Sequence, residues 1–253
     1  SVVAVPDAPA PEASLPEPPV DDLGGGKLVE EVWDAYSMQR QRVGYSRTTI
    51  AHVEEEGRRL VRTCNFTRTT MQRAGQEITQ EMTLTSFDTP EGGMVRFETR
   101  LSAGPGEIVS VGAVRDGQLG IDTTTLGRTQ SQKIPWQAEW GGMFAPDRSL
   151  REQPIKVGER RTVRGLLPIF NLVGDTRLEA VAEETVELPT GPVKLLKVNS
   201  MVEVGGQKIE SVLWVNERGE TLKSIVPSIG QEAIRTTKRE ALLQPVGGKF
   251  DLL

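Results

Sequence analysis

Residues 194–215, KLLKVNSMVEVGGQKIESVLWV, contain the pattern that decides the fold. Apolar residues recur at every second position on both sides of a Gly-Gly pair. They are Leu196, Val198, Val202 and Val204 before the pair, and Ile209, Leu213 and Val215 after it. Alternation with period two and enrichment in β-branched residues are typical of strands covered on one side. Gly205-Gly206 supplies the positive φ that a tight reversal needs, so the stretch predicts a β-hairpin.

The same alternation of apolar and polar residues is found elsewhere along the chain. Period two places Ile78, Met82 and Leu84 on one face of a strand, and Val95, Phe97, Thr99 and Leu101 on one face of another. Turn signals stand between strand candidates at Glu56-Gly57, Gly92-Gly93, Asp116-Gly117 and Arg218-Gly219. Sequential hairpins build an antiparallel meander, and a long meander curls. We therefore predict a mainly β fold over residues 28–242, a single large curved antiparallel meander that forms a half-barrel or open barrel.

The alternating pattern of the strands is interrupted where we expect one or two short helices. PDRSLREQP (146–154) has Asp147 or Ser149 near the predicted helix start and Pro154 beyond its end, and TTKREALL (236–243) suits a second helix. The interruption divides the chain into two β-rich halves. Neither a charge run nor a long linker separates them, so one continuous sheet is expected.

The composition of both ends of the chain predicts linkers. Residues 1–27 are rich in Pro, Gly and small or acidic residues, which predicts a disordered tether, and residues 243–253 read as a C-terminal linker. The chain begins without Met, and a tether in this position suggests that a signal or membrane anchor has been removed. An extracytoplasmic location is expected, either periplasmic or membrane-tethered.

Charge and hydropathy exclude two classes of partner. The net charge of −5 and the pI near 5.2 argue against nucleic acid, because such binders need a basic face to release counterions from phosphate. No run of apolar residues is long enough to predict a membrane span.

The sequence contains few residues that could form a catalytic or metal-binding site. Cys64 and His52 are the only thiol and the only imidazole. A tight turn at Glu56-Gly57 would place Cys64 opposite about Thr48, roughly 13 Å along the strand from His52, which is too far for a nucleophile–base pair. One Cys and one His cannot build a zinc site, and the spacing of the carboxylates selects no acid–base pair. We predict no catalytic residue, no metal and no cofactor.

The sequence IPWQAEWGGMFAP (134–146) is the one aromatic cluster. Its large side chains, Trp136, Trp140, Met143 and Phe144, suit three roles: core of the curved sheet, lining of a ligand cavity, or a surface for a partner domain. Core is favoured. The same four residues are the candidate ligand or partner surface.

Longer stretches carry a family resemblance. They are EEVWDAYSMQRQRVGYSRTTI (30–50), TSFDTPEGGMVRFETRL (85–101), TTTLGRTQSQKIPW (123–136), KVGERRTVRGLLPIFN (156–171) and SVLWVNERGETLKSIVPSIGQEAIRTTKREAL (211–242). In order, they resemble the N-terminal, non-catalytic region of bacterial transglutaminase-like proteins, notably those of planctomycetes. The resemblance implies an accessory domain that scaffolds or positions a transglutaminase-like catalytic domain in the same polypeptide. The family's catalytic Cys, His and Asp belong to that downstream core and match no position here.

A second resemblance concerns only the order and spacing of short motifs. KVGERRTVRGLLP (156–168), VELPTGPVKLLKVN (186–199) and LWVNERGETLKS (213–224) are similar to a bacterial half-barrel domain, broadly like lipoprotein carriers. It implies an alternative function, in which the concave face of the sheet holds a hydrophobic ligand such as an acyl chain or peptide.

Overall fold

The computed structural model describes residues 14–73, 75–104, 106–244 and 251–252. Most of this part of the chain is β-strand, with two short helices. In chain order the elements are β1 (Lys27–Met38), β2 (Gln41–Glu55), β3 (Arg58–Arg73), β4 (Gln76–Asp88), β5 (Met94–Ala103), β6 (Gly106–Arg115), β7 (Gln118–Thr125), β8 (Arg128–Pro135), α1 (Ala145–Glu152), β9 (Arg160–Leu167), β10 (Leu172–Leu188), β11 (Gly191–Val204), β12 (Gln207–Val215), β13 (Thr221–Val226), β14 (Gln231–Thr236), α2 (Lys238–Leu242) and β15 (Asp251–Leu252).

Two antiparallel meanders form one open, curved sheet. The strand order is β8-β7-β6-β5-β4-β3-β2-β1-β14-β13-β12-β11-β10-β9. The meanders β1–β8 and β9–β14 join where β1 pairs with β14, from Trp33 opposite Thr236 to Met38 opposite Gln231. The predicted curved antiparallel half-barrel with two short helices is confirmed.

The hairpin of residues 194–215 forms as its pattern predicts. Val204 pairs with Gln207 across the turn, where Gly205 and Gly206 have φ values of 57° and 80°. Alternate side chains of β11 and β12 pack in one buried cluster, which contains Leu196, Val198, Leu213 and Val215.

One predicted face is wrong at a single residue. A β-bulge shifts the β4–β5 register so that Phe87 pairs with Arg96 while Asp88 pairs with Met94. Val95 is the extra residue, and it packs on the convex side with Phe87, whereas Phe97 faces the concave interior. Period two alone does not reveal a bulge.

The concave interior is filled at two places by the segment that connects β8 to β9. Residues 136–144, here named the plug, cross the inside of the sheet and pack against Leu119 and Ile121 of β7. Beyond the plug, Leu150 of α1 and Ile155 pack on the inner face of β10–β12. α1 begins at Ala145, before the predicted Asp147 or Ser149, with Pro146 in its first turn.

Contacts across the open side of the sheet make it resemble a barrel. The plug forms a parallel bridge to β9, in which Gly141 N donates to Arg164 O (3.3 Å) and Leu166 N donates to Gly141 O (3.1 Å). The turn after β9 reaches the opposite edge, where the Asn171 amide donates to Ser110 Oγ (3.0 Å) and to Thr123 Oγ1 (3.2 Å).

Residues 14–26, here named the strap, correct the prediction of a tether over residues 1–27. The strap lies on the convex face of β2 and β3 and inserts Leu15 and Leu23 into apolar clusters there. Asp21 accepts two hydrogen bonds from Arg62 (2.5 and 2.9 Å). These buried contacts offset the entropy that the proline-rich composition alone would leave uncompensated. Residues 1–13 lie outside the described chain.

The structure describes the predicted C-terminal helix and only part of the predicted C-terminal linker. α2 forms where expected, and the Thr237 hydroxyl accepts from Glu240 N (3.2 Å) as its N-cap. Within the predicted linker 243–253, Leu243 bridges to Ser14, and β15 pairs in parallel with Gln72 of β3. Residues 245–250 and 253 lie outside the described chain. Neither helix in the described part has the length and apolarity needed to cross a bilayer.

Candidate functional site

A cavity of about 470 Å³ lies on the concave face between the plug and the α1 side of the interior. Its walls come from β1, β2 and β3 on one side of the β1–β14 junction and from β13 and β14 on the other, with α1 opposite. Val32, Ile50 and Val61 give the sheet wall an apolar strip. This volume is within the range of small-molecule sites. The interior of the half-barrel is therefore filled at two places and open between them.

Charged side chains are unusually frequent in the cavity wall. The acids are Asp34, Asp88, Asp147 and Glu152, and the bases are Arg148, Arg151, Lys223 and Arg235. Each base has its own carboxylate: the ion pairs are Arg148–Glu152 (2.6 Å), Arg151–Glu30 (2.5 Å), Lys223–Glu232 (2.5 Å) and Arg235–Asp34 (2.8 Å). Two acids, Asp88 and Asp147, have no ion-pair partner in the described part of the chain. The lining itself holds four acids and four bases, and carboxylate is in excess because Arg151 and Lys223 are neutralised by Glu30 and Glu232, which lie outside the lining.

Asp88 is the more deeply buried of these two acids, with 6% of its surface exposed. It stands at the end of β4, where Ser86 donates a hydrogen bond to its Oδ1 (2.9 Å). Burial raises the pKa of Asp88 to about 6, although the Ser86 hydrogen bond and the charge of Arg148 act in the opposite direction. A carboxylate with a perturbed pKa in a cavity wall is a functional-site candidate on physical grounds.

Gly142 of the plug fits closely over this carboxyl. A Cβ at Gly142 would stand 2.2 Å from Ser86 Oγ and 2.7 Å from Asp88 Oδ1. Only glycine therefore allows the plug backbone to approach Asp88 without moving it.

Asp147 projects from the first turn of α1 towards β13, where the Thr221 hydroxyl donates to its Oδ1 (3.4 Å). Asp147 is exposed, because it faces the open cavity, and partial desolvation by the surrounding elements raises its pKa. Arg151 and Arg235 oppose that shift electrostatically. The charge of Asp147 is therefore only partly compensated by its surroundings.

Asp34, Arg235 and Tyr36 form a polar group on the opposite wall. Arg235 donates to Asp34 Oδ1 (2.8 Å) and to the backbone carbonyl of Thr221 (2.9 Å). Burial, reinforced by the Asp34 carboxylate, raises the pKa of Tyr36 to about 12. The Tyr36 phenol stays protonated at neutral pH, so it offers a hydrogen-bond donor to the cavity.

The four aromatic-cluster residues occupy different environments. Trp136 and Met143 are buried, with 4% and 7% of their surface exposed, and they pack in the core around the plug. Trp140 is half-buried: its ring meets the Trp136 ring edge-on at 5.6 Å and carries the Arg164 guanidinium 5.0 Å from its centre. Phe144 alone of the four lines the cavity. They therefore do not form one shared ligand surface, because the plug needs most of them as core.

Cys64 and His52 lie on opposite faces of the sheet. Cys64 pairs with Thr49, one residue from the predicted Thr48, and His52 pairs with Val61, so the alternation of β2 and β3 separates their side chains. Cys64 is buried on the convex side, where burial raises the pKa of its thiol, while His52 is exposed. The geometry does not allow a thiolate–imidazole pair.

The residues that sequence reasoning missed carried a detectable signal. Asp88 shares its strand face with Leu84 and Ser86, and Asp34 shares its face with Val32, so each places a carboxylate at an inward-facing position. Charged residues on an otherwise apolar face are rarely buried without a purpose. The convergence of β4, α1 and β14 on one cavity has no local signature.

Comparison with known proteins gives a fold relationship only. No protein-family model matches the chain, and the comparison with curated proteins gives no match. Among solved structures, the chain is similar to the β-barrel-like protein of domain of unknown function DUF1849 from Brucella abortus, with a TM-score of 0.58 and 10% sequence identity. The similarity covers 84% of this chain and 98% of that one. The chain therefore shares a β-barrel-like architecture with a protein of unknown function.

Proposed function

We propose that this domain is a non-catalytic binding domain that holds a small amphiphilic ligand in the cavity of its concave face. The cavity itself is the observation that carries the proposal. Its volume of about 470 Å³ lies where a filled core would otherwise continue, and it combines an apolar strip with polar groups fixed by ion pairs. Concave sites with apolar walls and a few oriented polar groups are typical of small-molecule binding.

The wall composition favours an amphiphile over a purely hydrocarbon ligand. Val32, Ile50 and Val61 offer contact to an apolar chain, whereas Asp34, Arg235 and Tyr36 would be left facing that chain without new hydrogen bonds. Burying polar groups against hydrocarbon is costly. A ligand with an apolar body and a polar end satisfies both kinds of wall.

Filling the cavity tests this proposal. The intact chain is titrated with decanol, an uncharged amphiphile, by calorimetry, and Nile red serves as a fluorescent reporter of the apolar strip. Ile50→Trp on β2 and Ala233→Phe on β14 enlarge side chains of the sheet wall on the two sides of the β1–β14 junction. Val111→Trp, at a position 45% exposed on β6, is the matched control.

We expect saturable decanol binding to the wild type and to Val111→Trp, and a loss of at least about tenfold in affinity in each cavity-filling variant. Circular dichroism identifies a variant that fails to fold. In that case the other cavity-filling variant, if folded, tests whether filling the cavity weakens decanol binding. Absence of saturable binding by the wild type, or equal binding by folded cavity-filled variants, would contradict the proposal.

The accessory role beside a transglutaminase-like catalytic domain stays a prediction that rests on the resemblance of residues 30–253, and the extracytoplasmic location stays a prediction that rests on the proline-rich N-terminal segment. The separation of Cys64 from His52 supports a non-catalytic role. Measuring transamidase activity of this fragment and of a longer polypeptide tests it. Appreciable turnover by the fragment alone would end the non-catalytic interpretation.

A further inference from the structure

Two unpaired carboxylates in the cavity wall indicate what kind of polar end the ligand carries. Every base in the wall is matched by its own acid at 2.5–2.8 Å, whereas Asp88 and Asp147 have no cationic partner among the described residues. A carboxylate inside a partly enclosed, low-dielectric site interacts with charge more strongly than it does in water. The wall is therefore electrostatically unbalanced in favour of cations.

Asp88 is more than nine-tenths buried, and among the described residues its carboxylate accepts a side-chain hydrogen bond from the Ser86 hydroxyl alone. A carboxylate oxygen pair accepts up to about four hydrogen bonds, so much of the capacity of Asp88 is unused. The base whose charge acts on Asp88, Arg148, is committed to Glu152 and to the carbonyls of Thr89 and Pro90. It cannot turn to Asp88 without breaking those bonds.

Asp147 on α1 also has no cationic partner among the described residues, but unlike Asp88 it is exposed to the open cavity. It accepts one long hydrogen bond from Thr221 (3.4 Å), and its helix neighbour Arg151 is held by Glu30 (2.5 Å). Asp34 differs, because Arg235 and Ser46 both donate to it. The buried, unused acceptor capacity thus lies at Asp88, and Asp147 adds a second carboxylate without an ion-pair partner among the described residues to the same cavity wall.

We propose that the ligand is a cationic amphiphile, a small molecule in which a protonated primary amine meets Asp88, with the charge of Asp147 in the same cavity wall, while an apolar chain lies along Val32, Ile50 and Val61. The inference rests on the proposed function and specifies its ligand class. An ammonium group donates three hydrogen bonds and supplies the missing positive charge, so it satisfies the unused acceptors. A fatty acid would bring a third uncompensated carboxylate into the same wall. The cavity is therefore expected to reject anionic lipids.

A series of three ligands with the same chain tests the proposal. Decylamine, decanol and decanoate are titrated into the intact chain by calorimetry near neutral pH and at low salt, below the concentrations at which they form micelles. We expect decylamine to bind at least about tenfold more tightly than decanoate, with decanol between them. Ile50→Trp should weaken all three, which separates cavity binding from adsorption of amines to an acidic surface.

Charge-neutral variants assign the preference to residues. Asp88→Asn and Asp147→Asn should each reduce the ratio of decylamine to decanol affinity by about fivefold or more, because each removes one carboxylate and keeps the side-chain shape. Asp122→Asn, at an exposed position on β7, changes the net charge equally and should leave the ratio unchanged.

The outcomes separate the two proposals. Decanol binding that Ile50→Trp removes, combined with equal affinities for decylamine and decanoate, would overturn the cationic ligand and leave the binding function standing. A ratio that Asp88→Asn and Asp147→Asn both leave unchanged would have the same meaning. Failure of all three ligands to bind would overturn both proposals.

Discussion

The interior of the half-barrel is built in two contrasting ways on one continuous face. Around the plug, Trp136 and Met143 meet Leu119 and Ile121, and the side chains are nearly fully buried. A few strands away, Ile50 faces open space beside paired charges. Protein interiors are normally close-packed, so an unfilled region of this size forgoes contacts that the same sheet makes elsewhere. The difference indicates that stability is concentrated at the plug and that the cavity serves another purpose.

Trp136→Ala should have the largest effect, because it removes the centre of the filled region. Loss of a buried tryptophan costs about 3–5 kcal/mol of unfolding free energy, measured by urea denaturation. Phe170→Ala, at a position 48% exposed, should change stability by less than about 0.5 kcal/mol. Similar losses in the two variants would remove the distinction between plug and surface.

A matched pair compares the two regions directly. Leu119→Ala at the plug should destabilise the protein by about 3 kcal/mol, while Ile50→Ala at the cavity should cost about 1 kcal/mol, since Ile50 is half-buried and already borders a void. Thermal and urea unfolding of the two variants give the comparison. Equal losses would mean that the cavity wall is packed as tightly as the plug.

Asp88→Asn should stabilise the protein at neutral pH. Because the folded-state pKa of about 6 lies above the ordinary value of 3.8, the wild type loses stability as pH rises between these values. At about 1.4 kcal/mol per pKa unit, the variant should gain about 2–3 kcal/mol above pH 6 and nothing below about pH 4. Urea denaturation across this pH range measures the gain, and a gain that does not depend on pH would contradict the assignment.

Glu152→Gln should have the smallest effect. Glu152 pairs with Arg148 one helical turn away, but 55% of its side chain is exposed, so solvent screens the interaction. A loss of about 0.5 kcal/mol or less is expected in thermal unfolding. A much larger loss would show that Arg148 depends on this pair to stay clear of Asp88.

The fold was largely predictable from sequence, and the site was not, for physical reasons. Alternation of apolar and polar residues is a local property, so it predicts the hairpin of residues 194–215. The interruption of that alternation before Pro154 predicts the α1 segment. The bulge at Val95 and the packing of the strap depend on partners far along the chain. The core role of Trp136 followed from its size, whereas the pairing of bases that leaves Asp88 and Asp147 unmatched emerges only in three dimensions.

The junction of β1 with β14 has a consequence for biosynthesis. The first strand of the sheet pairs with the last strand of the second meander, so an emerging chain cannot complete its architecture until nearly all of it has left the ribosome. Until then, the edge of β1 that later pairs with β14 is a template for mispairing with neighbouring copies. Such a chain should benefit from a holdase that shields this edge during synthesis.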